Sequence, residues 1–231
     1  MKKIAFIFPG QGSQYAGMGK DFYDTYSCAK EMIDLASEVS GMDMNHLLFE
    51  ENEELNITKY TQIAMLADEL AILQVLKEKG YTASVTAGLS LGEYAALVAS
   101  GVMTPEDAFR VVVKRGAYMQ EAVPEGGAMS AIMGMDNETI EKICEETDGI
   151  VSVANYNCPG QTVITGEAPA VEVAAAALKA AGAKRCIPLN VSGPFHSAML
   201  LDAGEKLSKE LETIEIHDIQ IPYITNVTAD Y

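Results

Sequence analysis

The chain has 231 residues, 48% of them apolar, enough to build a sizeable core in one large domain or in one domain carrying a smaller insertion. Sixteen basic residues stand against 33 acidic ones, a net charge of −17 that argues against general affinity for nucleic acid or anionic membrane. The apolar run at Met1–Pro9 is too short for a signal peptide, no later stretch approaches a membrane span, and a cytoplasmic protein is expected.

Lys3–Pro9 (KIAFIFP) reads as a buried strand emptying into the tight loop Gly10-Gln11-Gly12-Ser13-Gln14. Asp21–Ser40 has helical spacing, and Thr61–Lys79 is an apolar helix stopped by Gly80, with an acidic, loop-like stretch between them. Thr82–Leu89 is rich in small and β-branched residues. It leads through Ser90 into the helical Leu91–Ala99, giving strand, sharp turn and helix. Thr104-Pro105-Glu106 opens another helix with a capping residue, a first-turn proline and early acidic charge, and that helix runs to about Ala122.

From Ala128 to Leu189 the order becomes strand, helix, two strands around Cys158-Pro159-Gly160, helix and strand. This βαββαβ order is that of a ferredoxin-like unit, bounded by Gly126-Gly127 and Ser192-Gly193-Pro194. The fold class is therefore α/β: a mostly parallel sheet with flanking helices formed by residues 1–126 and 191–231, and an inserted ferredoxin-like subdomain at residues 127–190. After the insertion, Ala198–Leu211 is helical and Ile219–Val227 reads as a core strand. Parallel sheets are covered by helices on both faces, and none follows this strand, so the C-terminus is expected to be truncated.

Gly88-Leu89-Ser90-Leu91-Gly92 fits G-x-S-x-G, whose serine sits on a strained strand-to-helix turn with its hydroxyl exposed. Its position between a strand and a helix favours a nucleophile over a structural turn serine. A serine hydroxyl needs a base to remove its proton. His196, in the turn-rich run before the helix at Ala198, is the best candidate, although a capping or partly buried structural histidine fits that position about equally well; His46 and His217 lie in acidic surroundings. Cys28, Cys144, Cys158 and Cys186 are widely spaced and make neither a zinc nor a redox motif. The GQGSQ loop lacks the Lys-Ser/Thr ending of a nucleotide P-loop.

Six stretches in order, FPGQGSQ at Phe8, TQIAML at Thr61, GLSLGEY at Gly88, KRGAYMQ at Lys114, NYNCPGQTVITG at Asn155 and SGPFHS at Ser192, closely resemble the bacterial malonyl-CoA:acyl carrier protein transacylases and related acyltransferase domains. The resemblance covers nearly the whole chain. It implies an α/β-hydrolase-like acyltransferase core and transfer of a malonyl group from malonyl-CoA to the phosphopantetheine thiol of an acyl carrier protein. Ser90 is then the nucleophile, His196 the general base and acid, and the backbone N–H groups of Gln11 and Leu91 the oxyanion donors. Arg115 is implied to hold the free malonyl carboxylate, Gln62 and Asn155 to orient groups near the site, and Phe195 to favour malonyl over methylmalonyl. No bound cofactor or metal is implied; the pantetheine arrives on the partner.

Leu89 departs from the histidine found there in many members. The family's chain continues past the position of Tyr231, and a residue from that part accepts a hydrogen bond from the catalytic histidine, so the 231-residue chain alone is expected to be impaired or unstable. Met119, Met129 and Met133 are expected in the core, and Lys179, Lys184 and Arg185 are candidates for meeting an acidic carrier protein, with ordinary solvated surface the competing reading. A serine esterase or thioesterase and a non-catalytic carrier-protein or acyl-CoA binding fragment remain the alternatives.

Overall fold

The computed structural model describes residues 3–123, 125–189, 191 and 193–231; Ser192, expected at the edge of the insertion, lies outside them. In chain order the elements begin β1 (Ala5–Phe8), α1 (Lys20–Thr25), α2 (Ser27–Ser40), α3 (Met44–Phe49), α4 (Thr58–Glu78), β2 (Val85–Gly88), α5 (Gly92–Ala99) and α6 (Pro105–Ala122). They continue with β3 (Gly127–Met133), α7 (Asn137–Glu146), β4 (Val151–Cys158), β5 (Gln161–Glu167), α8 (Ala168–Ala180), β6 (Arg185–Pro188), α9 (Leu201–Leu211) and β7 (Tyr223–Ile224). They form two compact units, Met1–Ala117 with Leu207–Tyr231, and Tyr118–Lys206.

In the first unit β1, β2 and β7 make a parallel sheet in the order β1-β2-β7, with Phe8 opposite Gly88 and Ala87 opposite Ile224. All three strands therefore end on one side, where parallel α/β sheets carry their ligands. Helix α4 has no single apolar stripe but buries residues on every side, polar Gln62 and Glu69 included, and Ile63, Leu66, Leu70 and Leu73 are all fully enclosed. Each such side chain contributes about 1.5–3 kcal/mol. Helix α2 supports it with Ala29, Met32, Ile33 and Ala36, spaced to share one face.

Three details differ from the sequence expectation. The helix expected over Asp21–Ser40 breaks at Tyr26, whose backbone is extended (φ −121°, ψ 123°). The acidic stretch after it holds α3, because the Asp43 side chain accepts from the His46 N–H at 3.1 Å and Leu47 and Leu48 are buried. The last strand pairs only at Tyr223 and Ile224: Pro222 has no N–H to offer, and a turn closed by the Ala229 N–H on the Thr225 carbonyl ends it.

The second unit carries a four-stranded antiparallel sheet in the order β4-β5-β3-β6, the arrangement of a ferredoxin-like βαββαβ unit. Side chains alternate across it as the pleat requires. Ile132 and Ile164 meet Ile140, Val171, Ala174 and Leu178 of α7 and α8, while Ala131 and Val163 meet Met119, Met129 and Phe195. The unit reaches beyond the sheet and its two helices because Met119 from the last turns of α6 joins the latter cluster, and Lys206 Nζ stands 5.6 Å from the Tyr118 ring centroid. No described helix is long and apolar enough to cross a membrane.

Candidate active site

The turn after β2 is built by backbone crowding. A Cβ on Gly88 would lie 2.0 Å from the Gly92 carbonyl oxygen, and one on Gly92 would lie 2.4 Å from the Phe8 carbonyl oxygen, so only glycine lets β1, β2 and α5 meet this closely. The chain then has to turn within one residue. Ser90 takes it through the left-handed region at φ 52°, a conformation that costs a non-glycine residue roughly 1–2 kcal/mol. Leu91, fully buried, anchors the start of α5 behind it.

Ser90 is one end of a hydrogen-bonded chain. Arg115 Nη2 donates to Ser90 Oγ at 3.0 Å, and Arg115 Nη1 donates to Gln62 Oε1 at 2.6 Å. Gln62 comes from α4 and Arg115 from α6; they are 1% and 8% exposed, so the guanidinium is a buried cation fixed at the serine hydroxyl. The Tyr94 ring of α5 lies beneath it, 5.6 Å from centroid to Cζ. Burial lowers the Arg115 pKa from its usual value and raises that of the Tyr94 phenol. Arginine remains charged under either pressure.

The loop after β1 stands beside this turn, where the Leu89 N–H donates to the Phe8 carbonyl at 3.0 Å. Gln11 Nε2 donates to Thr58 Oγ1 at 3.1 Å, while Gln11 Oε1 is buried with no hydrogen-bond partner among the described residues. A residue that sequence reading missed completes the arrangement. Asn226, just past β7, accepts from the Ser90 N–H at 2.6 Å and donates to the Gly88 carbonyl; its own N–H donates to Glu93 Oε1 at 3.0 Å. The available signal was its place at the C-terminal end of a parallel strand.

The second unit holds the remaining candidates. His196 is exposed and also has a left-handed backbone, φ 62°, in a turn fixed on both sides. Before it, Pro194 sits where a Cβ on Gly127 would come within 2.2 Å; after it, Ser197 Oγ donates to the Pro194 carbonyl at 2.7 Å and caps the next turn by accepting from Met199. Phe195 is buried against Met119, Met129 and Val163. Asn155 stands opposite Val163 just after a register shift in β4, an irregularity that re-aims side chains.

Sequence reading also left some groups to be placed. His46 contacts Glu50 at 2.8 Å and Glu54 at 3.4 Å, and His217 lies 3.7 Å from Glu215. Lys179 Nζ donates to the Ala183 and Lys184 carbonyls beyond the end of α8, which leaves it less available to a partner. The four cysteines are free thiols, and no group of three or more His, Cys, Asp or Glu suited to a metal occurs among the described residues.

Comparison with known proteins identifies the family of the chain. The family described as "Acyl transferase domain" matches residues 5–231. The malonyl CoA-acyl carrier protein transacylase of Bacillus subtilis is 49% identical over 235 residues, covering 100% of this chain and 74% of the relative; that of Escherichia coli K12 is 48% identical over 98% of this chain and 75% of the relative. The crystal structure of MCAT from Streptococcus pneumoniae matches with a TM-score of 0.91 at 51% identity, over 95% of this chain and 73% of that one. A malonyl-transacylase solved in complex with its type II PKS acyl-carrier protein matches with a TM-score of 0.95 at 48% identity, over 99% of this chain and 76% of that one. The chain belongs to the acyl transferase domain family, among the malonyl CoA-acyl carrier protein transacylases.

Proposed function

We propose that this acyltransferase moves a malonyl group from malonyl-CoA to the phosphopantetheine thiol of an acyl carrier protein through a malonyl ester on Ser90. The observation that carries the reading is the buried Arg115 guanidinium, donating to Ser90 Oγ at 3.0 Å. A neutral acyl group needs no cation there, whereas malonyl brings a carboxylate that a planar guanidinium binds through charge-assisted hydrogen bonds. Gln62, bonded to the other side of the guanidinium, keeps the fork oriented.

In the first half-reaction Ser90 Oγ attacks the thioester carbonyl carbon while His196 takes the hydroxyl proton. The tetrahedral oxyanion accepts from the backbone N–H groups of Leu91, at the start of α5, and Gln11, and collapse breaks the C–S bond, with His196 returning the proton to the departing CoA thiolate. The second half-reaction repeats these steps with the carrier thiol as nucleophile and Ser90 as leaving group. Asn155 helps orient the acyl group, and Phe195 narrows the pocket against a methyl branch. Every bond change uses side-chain and backbone groups of the chain itself, with no bound cofactor, and the reading places the protein in the cytoplasm, in fatty acid synthesis. In this reading residues 127–190, inside the wider compact unit Tyr118–Lys206, are the insertion in a chain whose catalytic core is drawn from 1–126 and 191–231.

The test is the intact mass of the protein after incubation with malonyl-CoA. A malonyl adduct present in the wild type, absent from Ser90→Ala and discharged by carrier protein faster than by water supports the reading. An adduct on another residue, or discharge to water alone, overturns it in favour of different or hydrolytic chemistry.

A further inference from the structure

We propose that Asn226 is a positioning residue for acyl transfer, its side-chain amide clamping the turn that presents Ser90; the inference rests on Ser90 being the nucleophile. The amide spans the turn, taking the Ser90 N–H on its oxygen at 2.6 Å and giving its N–H to the Gly88 carbonyl. These two backbone groups flank Leu89, the residue from which the chain enters the left-handed conformation at Ser90.

A primary amide offers one acceptor and one donor side by side, so only one orientation of Asn226 satisfies both partners. An aspartate of the same shape would keep the acceptor but turn a second oxygen toward the Gly88 carbonyl, and an alanine would supply neither. The Asn226 backbone is held in turn, because its N–H donates to Glu93 Oε1 at 3.0 Å and the following turn closes on Thr225 through Asp230 and Ala229.

The clamp has two effects on the chemistry. It offsets the strain of Ser90 at φ 52°, which relaxation of the turn would otherwise release by rotating Oγ away from Arg115 Nη2. It also engages the Ser90 N–H, which leaves the Leu91 N–H as the donor this turn can aim at the oxyanion. Asn226 touches neither the acyl group nor the leaving thiol in this scheme. It acts through the placement of Ser90.

The experiment measures the rate of malonyl adduct formation by rapid quench and intact mass, across malonyl-CoA concentrations, for wild type, Ser90→Ala, Asn226→Ala and Asn226→Asp. The expected result is a saturated acylation rate lowered at least tenfold in both Asn226 variants, with half-saturating malonyl-CoA within threefold of wild type and faster deuterium exchange in the peptide containing Ser90. Wild-type rates in folded Asn226→Ala would overturn the clamp, as would a loss confined to half-saturation or unfolding of both variants by circular dichroism, which would mark a general structural role. An adduct persisting in Ser90→Ala would instead remove the nucleophile reading on which the proposal stands.

Discussion

Asp68 and Glu69 sit side by side on α4 with carboxylate oxygens that are buried and have no hydrogen-bond partner among the described residues. Desolvation, reinforced by Asp21, pushes the Asp68 pKa from 3.8 to about 6, and desolvation with the neighbouring Asp68 charge raises Glu69 well above its usual value. An acid whose folded-state pKa is raised holds its proton longer in the native protein than in the unfolded chain. Stability is then greatest below about pH 4, falls as pH rises through the window from 4 to 6, and above it carries the full penalty of the ionised group. A rise of about two units corresponds to roughly 3 kcal/mol, and residual solvent access reduces the expected effect to about 1–3 kcal/mol. Replacing Asp68 by Asn removes the titration. Urea unfolding at a series of pH values should show the variant gaining on wild type across that window and more stable above it, by about 1–3 kcal/mol in the extrapolated unfolding free energy. A stability difference that stays constant from pH 4 to pH 8 would refute the reasoning.

Gly88→Ala places its Cβ 2.0 Å from the Gly92 carbonyl oxygen, a backbone atom with no freedom to withdraw, so a loss of about 3 kcal/mol or more is expected in the urea midpoint. A wild-type midpoint would show that the crowding around the turn is not obligatory. Arg115→Ala should lower the ratio of malonyl to acetyl transfer by roughly 10- to 100-fold, the worth of a charged hydrogen bond, as read from kcat/KM with each CoA ester. Arg115→Lys keeps the charge without the fork and should recover only part of it.

What was readable in the sequence followed from local chemistry. The G-x-S-x-G run declares its turn because both glycines lie within five residues between a strand and a helix, although only Gly88 is demanded by contacts inside that unit and Gly92 by the approach of β1, and the βαββαβ order declares the antiparallel sheet because each turn and period is local. The resemblance also singled out Arg115 and Gln62, and the structure joins them to Ser90 in one hydrogen-bonded chain. Asn226 stayed hidden because its bonds to the serine turn join residues 136 and 138 positions apart, a separation no periodicity reports. Helix α3 was missed because its six residues are too few to establish a period, leaving the Asp43 cap as the sole local sign. The break at Tyr26 is invisible for a related reason: the apolar pattern resumes on the other side of a single extended residue.

The parallel sheet takes its three strands from residues 5–8, 85–88 and 223–224. During synthesis on the ribosome the first two can pair early, whereas the third emerges only after the whole antiparallel unit has been made, and pairings this distant in sequence form slowly. The serine turn is therefore without the amide that spans it while the 136 positions from Ser90 to Asn226 are made. A nascent chain can hold β1 and β2 paired and still lack a rigid nucleophile, so on the clamp proposal reactivity toward CoA thioesters waits for the segment that follows the antiparallel unit.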